Sequence, residues 1–224
     1  TPSSLGASAA CDGLVLGTFS GVPACVNGNG DLHICENNFP DKQYRNLLIN
    51  YSNINPNNDE YFTPQEIQAV DKIYYQYHYN ICSLKGIEFF SELLDFTFRG
   101  NMWVTELDLS NNKKLRSVEM PSGVLRSLKL CETAPLSMLN VQDNHFIELD
   151  LSHCSSLLVL DCSRNELSSL HISDLPLLRD LDCSNTYITT LDLSKNSELE
   201  TLHCSYARLS ELDLSNNPLL KILY

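Results

Sequence analysis

The amino-acid sequence predicts a mainly β solenoid, a repeat array of parallel strands behind a small helical N-terminal cap. Three observations carry that expectation. A leucine-type residue recurs at alternating intervals of eleven and ten, through Ile73, Leu84, Leu94, Leu107, Val118, Leu128, Leu139, Leu149, Leu160, Leu170, Leu181, Leu191, Leu202, Leu212 and Leu223. Only the step from Leu94 to Leu107 departs, by three extra residues. Two unequal half-turns summing to 21 residues make one coil, repeated about seven times over 73–224. Second, Leu-Asp-Cys and Leu-Asp-Leu alternate apolar and polar side chains with the period of an extended strand. Third, Asn112, Asn144, Asn165, Asn196 and Asn217 recur just after such strands, where a side-chain amide satisfies backbone groups at a bend. Coils stacked about 4.8 Å apart bond backbone to backbone. Such an array builds a long surface rather than an enclosed pocket.

Composition narrows the function classes. The chain has 224 residues, 43% of them hydrophobic, which is ample material for a core. A net charge of −13 and a pI near 4.7 argue against a nucleic-acid or anionic-membrane partner, since both demand a basic face. No apolar run approaches the roughly 20 residues of a membrane-spanning helix. Residues 1–10, TPSSLGASAA, read as a flexible leader. Thr1 in place of Met implies that something upstream was removed, and an export signal fits that role.

Residues 11–72 read as a head with a hairpin and two helices. Cys25 and Cys35 flank Asn27-Gly28-Asn29-Gly30, a strong turn signal. A hairpin centred there brings the two cysteines near each other, so a disulfide stands beside the alternative of two ordinary buried thiols. Cys11 is left over in either case. FPDKQYRNLLIN carries Tyr44, Leu47 and Leu48 at helical spacing, and Thr63-Pro64-Gln65-Glu66 is a capping box opening the helix QEIQAVDK.

The array begins at IYYQYHY, residues 73–79. On a strand, Ile73, Tyr75, Tyr77 and Tyr79 share one face, while Tyr74 and His78 share the other. The period breaks in RGNMWVTE, which carries Trp103, and a loop there would offer an aromatic to a partner or seal the first coil against the head. Further along, Cys162, Cys183 and Cys204 recur in one inward column that continues backward as Val141 and Met120. Replacement by Val and Met marks packed small hydrophobes, not metal ligands. Two outward columns are acidic: Asp150, His171, Asp192, Asp213, and Asn140, Asp161, Asp182, His203. They read as solvated faces, with a cation site or acid–base pair as the sharper alternative.

The runs LVLDCSRNEL, LRDLDCSNTYI and LDLSNNPLLKIL resemble bacterial leucine-rich repeats of the 21-residue kind with a cysteine ladder. Internalin-like cell-surface proteins and secreted Bacteroidetes repeat proteins are the nearest in pattern, over roughly 73–224. The resemblance implies a right-handed leucine-rich-repeat array that binds proteins or glycans outside the cell without catalysis. FPDKQYRNLL through SLKGIEFF is similar to a head found ahead of such repeats, in which an EF-hand-like loop often occupies the middle. Setting Glu66 in the twelfth slot puts Asn55, Asn57 and Asp59 in the first, third and fifth, with apolar Phe62 in the eighth. Asparagine replaces aspartate in the first slot, and Glu60 stands where the tight turn needs glycine. The loop is therefore expected to be a remnant that no longer binds calcium.

No nucleophile motif, P-loop, dinucleotide fingerprint or His-Glu-x-x-His pattern occurs, so neither an enzyme nor a cofactor is expected. The expectation is an adhesion module at the bacterial surface or outside the cell, recognising a protein or glycan. Its contacts are expected at Trp103, Tyr74, Glu119, Asn140, Asp161, Asp182 and His203, an acidic face suited to a basic or polar partner. The alternative is a structural spacer or self-assembly module. The chain stops at KILY, just inside the next strand, where an open sheet edge would pair with another copy.

Overall fold

The computed structural model describes residues 24–50, 53–76, 80–100 and 103–224. The expected leader, Cys11, Tyr77, His78 and Tyr79 lie outside the described residues. The head contributes an antiparallel pair, β1 (Leu32–His33) with β2 (Tyr61–Phe62), and two helices, α1 (Lys42–Asn50) and α2 (Pro64–Ala69). After it come β3 (Lys72–Tyr75), β4 (Asp95–Phe98), β5 (Glu106–Asp108), β6 (Ser117–Glu119), β7 (Ser127–Lys129) and β8 (Met138–Asn140). The array ends in β9 (Val159–Asp161), β10 (Asp180–Asp182), β11 (Thr201–His203) and β12 (Ile222–Leu223).

One strand per coil builds an eight-stranded parallel sheet in the order β12-β11-β10-β9-β8-β6-β4-β3. Registry holds residue against residue 21 positions on: Leu139 beside Leu160, Leu160 beside Leu181, Leu181 beside Leu202. Strand alternation buries these leucines and turns their neighbours outward. The other half-coil pairs β5 with β7 and beyond them has no assigned strand, although Leu170 and Leu191 keep it packed. The architecture is the expected leucine-rich-repeat solenoid with a small helical cap.

The bend after each sheet strand is built the same way. Ser122, Asp143, Arg164, Asn185 and Tyr206 adopt left-handed backbone with φ of 61°, 57°, 55°, 56° and 60°, at the position Gly100 fills with φ 76°. That twist keeps their N–H groups on the inter-coil ladder: Asp143 donates to the Ser163 carbonyl at 2.9 Å and Arg164 to that of Ser184 at 2.9 Å. In two of these bends the next residue is a buried asparagine, Asn144 or Asn165, and in the others Gly123, Thr186 and Ala207 stand there. Asn165 donates to the Val141 and Cys162 carbonyls at 2.9 and 3.0 Å and accepts the Phe146 N–H at 3.0 Å. Asn144 does the same one coil earlier, toward Met120, Val141 and Leu125. The amide thus satisfies three backbone groups that the bend strips from the sheet.

The inward column Met120, Val141, Cys162, Cys183 is buried, and Cys204 half-buried. Burial pushes the Cys183 thiol up to about 12 and that of Cys162 well above its ordinary value, so the column stays protonated and packs as small hydrophobes.

One expectation needs correction, and one open alternative is decided. The period break is not a single insertion after Leu94, because the sheet residue of that coil is Phe96. Phe96 pairs with Ile73 and Val118, so the first coil is 23 residues long and the second 22. The three extra residues are shared between two coils, and Leu94 stands just outside the strand. Second, Cys25 and Cys35 are free thiols. The hairpin forms, but its register sets Cys25 opposite His33, whose N–H donates to the Cys25 carbonyl at 2.9 Å. Cys35 falls two residues further along, where its own N–H turns back onto the His33 carbonyl. Cys82 is disulfide-bonded.

The head joins the array through a buried carboxylate. Asp41 Oδ1 accepts the N–H groups of Gln43 and Tyr44 at 2.8 and 2.9 Å, capping α1, while Oδ2 accepts those of Cys82 and Ser83 at 2.7 and 3.2 Å. Phe39, Phe62 and Phe90 fill the space beneath, with Phe62 edge-on to Phe90 at 5.6 Å. Gly86, at φ +105°, is the close approach: a Cβ there would meet Phe39 Cδ1 at 2.1 Å. Replacing Asp41 by Ala strands four N–H donors at this junction. We expect a loss of about 3–5 kcal/mol in urea denaturation, and a loss below about 1 kcal/mol would show that the clip is not structural.

Candidate recognition surface

The outward face of the sheet is a grid whose columns run across the coils. One column is in register from Tyr74 through Thr97, Glu119, Asn140, Asp161 and Asp182 to His203. Six residues expected to bind a partner therefore share one line. Thr97 joins them, a residue sequence reading missed because following Leu94 put that coil out of phase. The signal was present in Asp-Phe-Thr-Phe, which alternates as Leu-Asp-Cys does. Trp103 is not in this column. It lies between β4 and β5, half-buried, and its Nε1 donates to Asn80 Oδ1 at 3.0 Å.

The aspartates have a structural duty that their outward position conceals. Asp161 Oδ1 accepts both the N–H and the hydroxyl of Ser163, at 3.1 and 2.6 Å, and Asp182 Oδ1 accepts the Ser184 N–H at 2.9 Å. Asn140 holds Gln142 in the same way at 3.1 Å. On the other half-coil, Asp108, Asp150, Asp192 and Asp213 each take the N–H of the serine two residues on. Backbone hydrogen bonding holds the Asp150, Asp192 and Asp213 carboxyls below the usual range. Asp-x-Ser is thus a turn-forming pair of the repeat. Asp150 and His171 also line an open cleft of about 540 Å³ with Arg126, Glu148 and Asp174.

Asp161 differs from the other aspartates. Burial first, and then the negative charge of Asp182 beside it, raise its carboxyl above the usual range, against the hydrogen bonds from Ser163 and the pull of His203. Cations neutralise the flanks of the sheet instead: Lys72 pairs with Asp95 at 3.0 Å, Arg99 with Glu119, and Lys221 with Glu200 at 2.5 Å. No Lys, Arg or His among the described residues forms an ion pair with Asp161 or Asp182. At the far end the His203 ring lies 4.9 Å from that of Tyr224.

The EF-hand-like loop is closed on itself. Glu66 Oε2 accepts the Thr63 N–H and hydroxyl at 2.8 and 3.0 Å, as the capping box of α2 requires, and Oε1 accepts Asn57 Nδ2 at 2.6 Å. Asn55 Nδ2 donates to the Asp59 carbonyl at 2.6 Å, and Asp59 Oδ1 takes the Tyr61 N–H at 2.9 Å. Two side-chain amides supply the positive ends that a cation would supply. Neither here nor elsewhere among the described residues do three or more His, Cys, Asp or Glu gather to hold a metal ion.

A scan against protein families finds no match, and neither does a search of curated proteins. Solved structures do resemble the chain. The functional domain of InlJ from Listeria monocytogenes, which includes a cysteine ladder, is 24% identical with a TM-score of 0.61, over 89% of this chain and 48% of that one. A leucine-rich-repeat protein from Leptospira interrogans is 20% identical with a TM-score of 0.63, over 71% of this chain and 44% of that one. Internalin C2 from Listeria monocytogenes is 18% identical with a TM-score of 0.63, over 89% of this chain and 88% of that one. The chain spans about half the length of the first two. At these identities the likeness establishes the fold alone, a leucine-rich-repeat solenoid.

Because Asn55 Nδ2 and Asn57 Nδ2 already bond within the loop 55–66 and Glu66 is committed to the cap of α2, the thermal midpoint should be the same with millimolar calcium and with chelator, even though Asn55 Oδ1 is buried without a hydrogen-bond partner among the described residues. Asn55→Asp and Asn57→Asp combined with Glu60→Gly should create calcium dependence by restoring ligand charge and the tight turn. A calcium-induced rise in the unsubstituted chain would overturn this account.

Proposed function

We propose that the chain is a non-catalytic recognition module, displayed at a bacterial cell surface or secreted, whose sheet face binds a basic partner. The uncompensated pair of Asp161 and Asp182 at the centre of the sheet carries this reading. A partner that brings Lys or Arg to this column relieves like-charge crowding that no ion pair among the described residues relieves and that Ser163 and His203 offset only in part. Tyr74 and His203 frame the column with aromatic surface at its two ends. The disulfide at Cys82 supports an oxidising compartment, and with it export. No helix among the described residues is long and apolar enough to cross a membrane.

The test uses the intact chain and partners captured from host-cell and bacterial surface extracts. Asp161→Asn and Asp182→Asn keep an acceptor for Ser163 and Ser184, so they remove charge without removing the turn. A partner of this face should bind at least about tenfold more weakly to the double variant and should elute as salt rises from about 0.05 to about 0.5 M. Binding indifferent to both changes refutes the assignment.

A second reading is self-assembly through the outermost strand, supported by the exposure of Ile222, Leu223 and Tyr224. Light scattering separates the two. A dimer that Leu223→Lys dissociates favours assembly, and a monomer at high micromolar concentration excludes it.

A further inference from the structure

The tip of the head hairpin, Asn27-Gly28-Asn29-Gly30, holds the same dipeptide twice. Asparagine before glycine is chemically labile, because the glycine nitrogen attacks the side-chain carbonyl carbon with no Cβ of its own in the way. In that reaction the N–Cγ bond forms, the Cγ–Nδ2 bond breaks, and ammonia leaves with the proton of the glycine amide. Water then opens the succinimide at either carbonyl, giving aspartate or isoaspartate. No metal, oxidant or second protein takes part. In an unfolded chain the two dipeptides react alike, so the fold decides which of them is modified.

The fold holds the two asparagines very differently. Asn27 is half-buried, and both ends of its amide are engaged. Its Oδ1 accepts the N–H groups of Asn29 and Asp31 at 2.9 and 3.0 Å, and its Nδ2 donates to Asp31 Oδ2 at 2.8 Å. The last bond runs to a carboxylate and is the strongest kind of the three. Ring closure needs the amide carbon to turn its face toward the nitrogen it will bond, and at Asn27 three hydrogen bonds hold the amide where it is.

Asn29 is exposed, and its side-chain amide makes no hydrogen bond among the described residues. The nitrogen that would attack it, that of Gly30, gives up one turn bond, to the Asn27 carbonyl at 3.0 Å. A single exposed turn bond opens readily. Steric access is equal at the two sites, since no atom comes within 4 Å of where a Cβ would stand on Gly28 or on Gly30. Hydrogen bonding alone sets them apart.

We propose that Asn29 is a modification site, converted spontaneously to aspartate or isoaspartate through a succinimide, and that Asn27, in the same Asn-Gly context, is protected by its bonds to Asp31 and Asn29. The product adds one negative charge to a chain already at −13. As isoaspartate it also adds a backbone methylene at the tip. The tip is exposed and no residue of it belongs to the buried core, so the head keeps its fold after conversion. Nothing in this inference rests on the recognition reading.

The test ages the intact chain in mildly alkaline buffer at body temperature and follows both dipeptides by tandem mass spectrometry. Isoaspartate is confirmed by methyl transfer from S-adenosylmethionine with an isoaspartyl methyltransferase. Asn29 should convert at least about tenfold faster than Asn27, which has the more hydrogen bonds to lose. In concentrated urea the two rates should converge. Asp31→Ala, which removes the acceptor of Asn27 Nδ2, should speed Asn27 severalfold and leave Asn29 as it was. Asn29→Gln should abolish the methylation signal, and the aged parent should melt where the fresh one does. Equal rates in the folded chain, faster conversion at Asn27, or an Asn29 that stays intact while the urea-unfolded chain converts overturns the proposal.

Discussion

The backbone ladder between coils is the constraint on which the rest of the structure depends. Each sheet strand is only two to four residues long, too short to stand alone, and it persists because both neighbours repeat its register 21 residues away. The ladder continues past the strand into the left-handed bend, where the Arg164 and Asn185 N–H groups still find carbonyls of the next coil. Everything inside the coil answers to that spacing. Asn165 is buried where the ladder lets go, and Asp161 and Asp182 fold the serine after them back onto the chain. The ladder therefore determines which outward positions are structural and which are free to vary.

An array of this kind must start somewhere, and its first strand cannot be satisfied by a preceding coil. The head serves that purpose by changing the chemistry of the contact. In place of leucine on leucine it sets Phe39 and Phe62 against Phe89 and Phe90 of the first coil, and Asp41 supplies to Cys82 and Ser83 the acceptor that a neighbouring coil would otherwise supply. The same economy explains the loop 55–66. Glu66 caps α2 with one oxygen and ties Asn57 with the other, and Asn55 Nδ2 holds the Asp59 carbonyl, so amides and the cap order the loop although Asn55 Oδ1 stays buried without a hydrogen-bond partner.

Where period and alternation agree, the sequence is legible to the residue. Leu139, Leu160, Leu181 and Leu202 face inward in register, the cysteine column packs behind them, and Asn144 and Asn165 sit at the bends. Where they disagree, alternation is the better guide. A leucine periodicity selects Leu94, yet backbone pairing follows Phe96, because the strand's faces are set by every second residue and not by side-chain identity. The two head cysteines illustrate a different limit. A turn motif locates a hairpin, but its register shifts cysteine pairing by two residues, and no local pattern marks that shift. The dual use of aspartate was hidden for the same reason, since a carboxylate that points outward in alternation can still spend one oxygen on a backbone N–H two residues on.

That dual use bears directly on how a solenoid acquires a ligand. Each aspartate of the sheet column commits Oδ1 to a turn and leaves Oδ2 outside it, so an acidic face arises as a by-product of folding and is not by itself a sign of selection for binding. What distinguishes the centre of the sheet is the missing cation. Lys72, Arg99 and Lys221 neutralise carboxylates at the flanks, whereas Asp161 and Asp182 face each other with raised repulsion and partial burial. A scaffold optimised for stability alone would place a lysine in one of the adjoining positions, which Asn140, Val159 and Thr201 occupy instead. Leaving the charge open costs little in water and gains its full effect only when a partner excludes the water. The same reasoning favours this pair over the columns of the other half-coil, where exposed carboxylates sit in full solvent and their depressed pKa values are explained by the turns they cap.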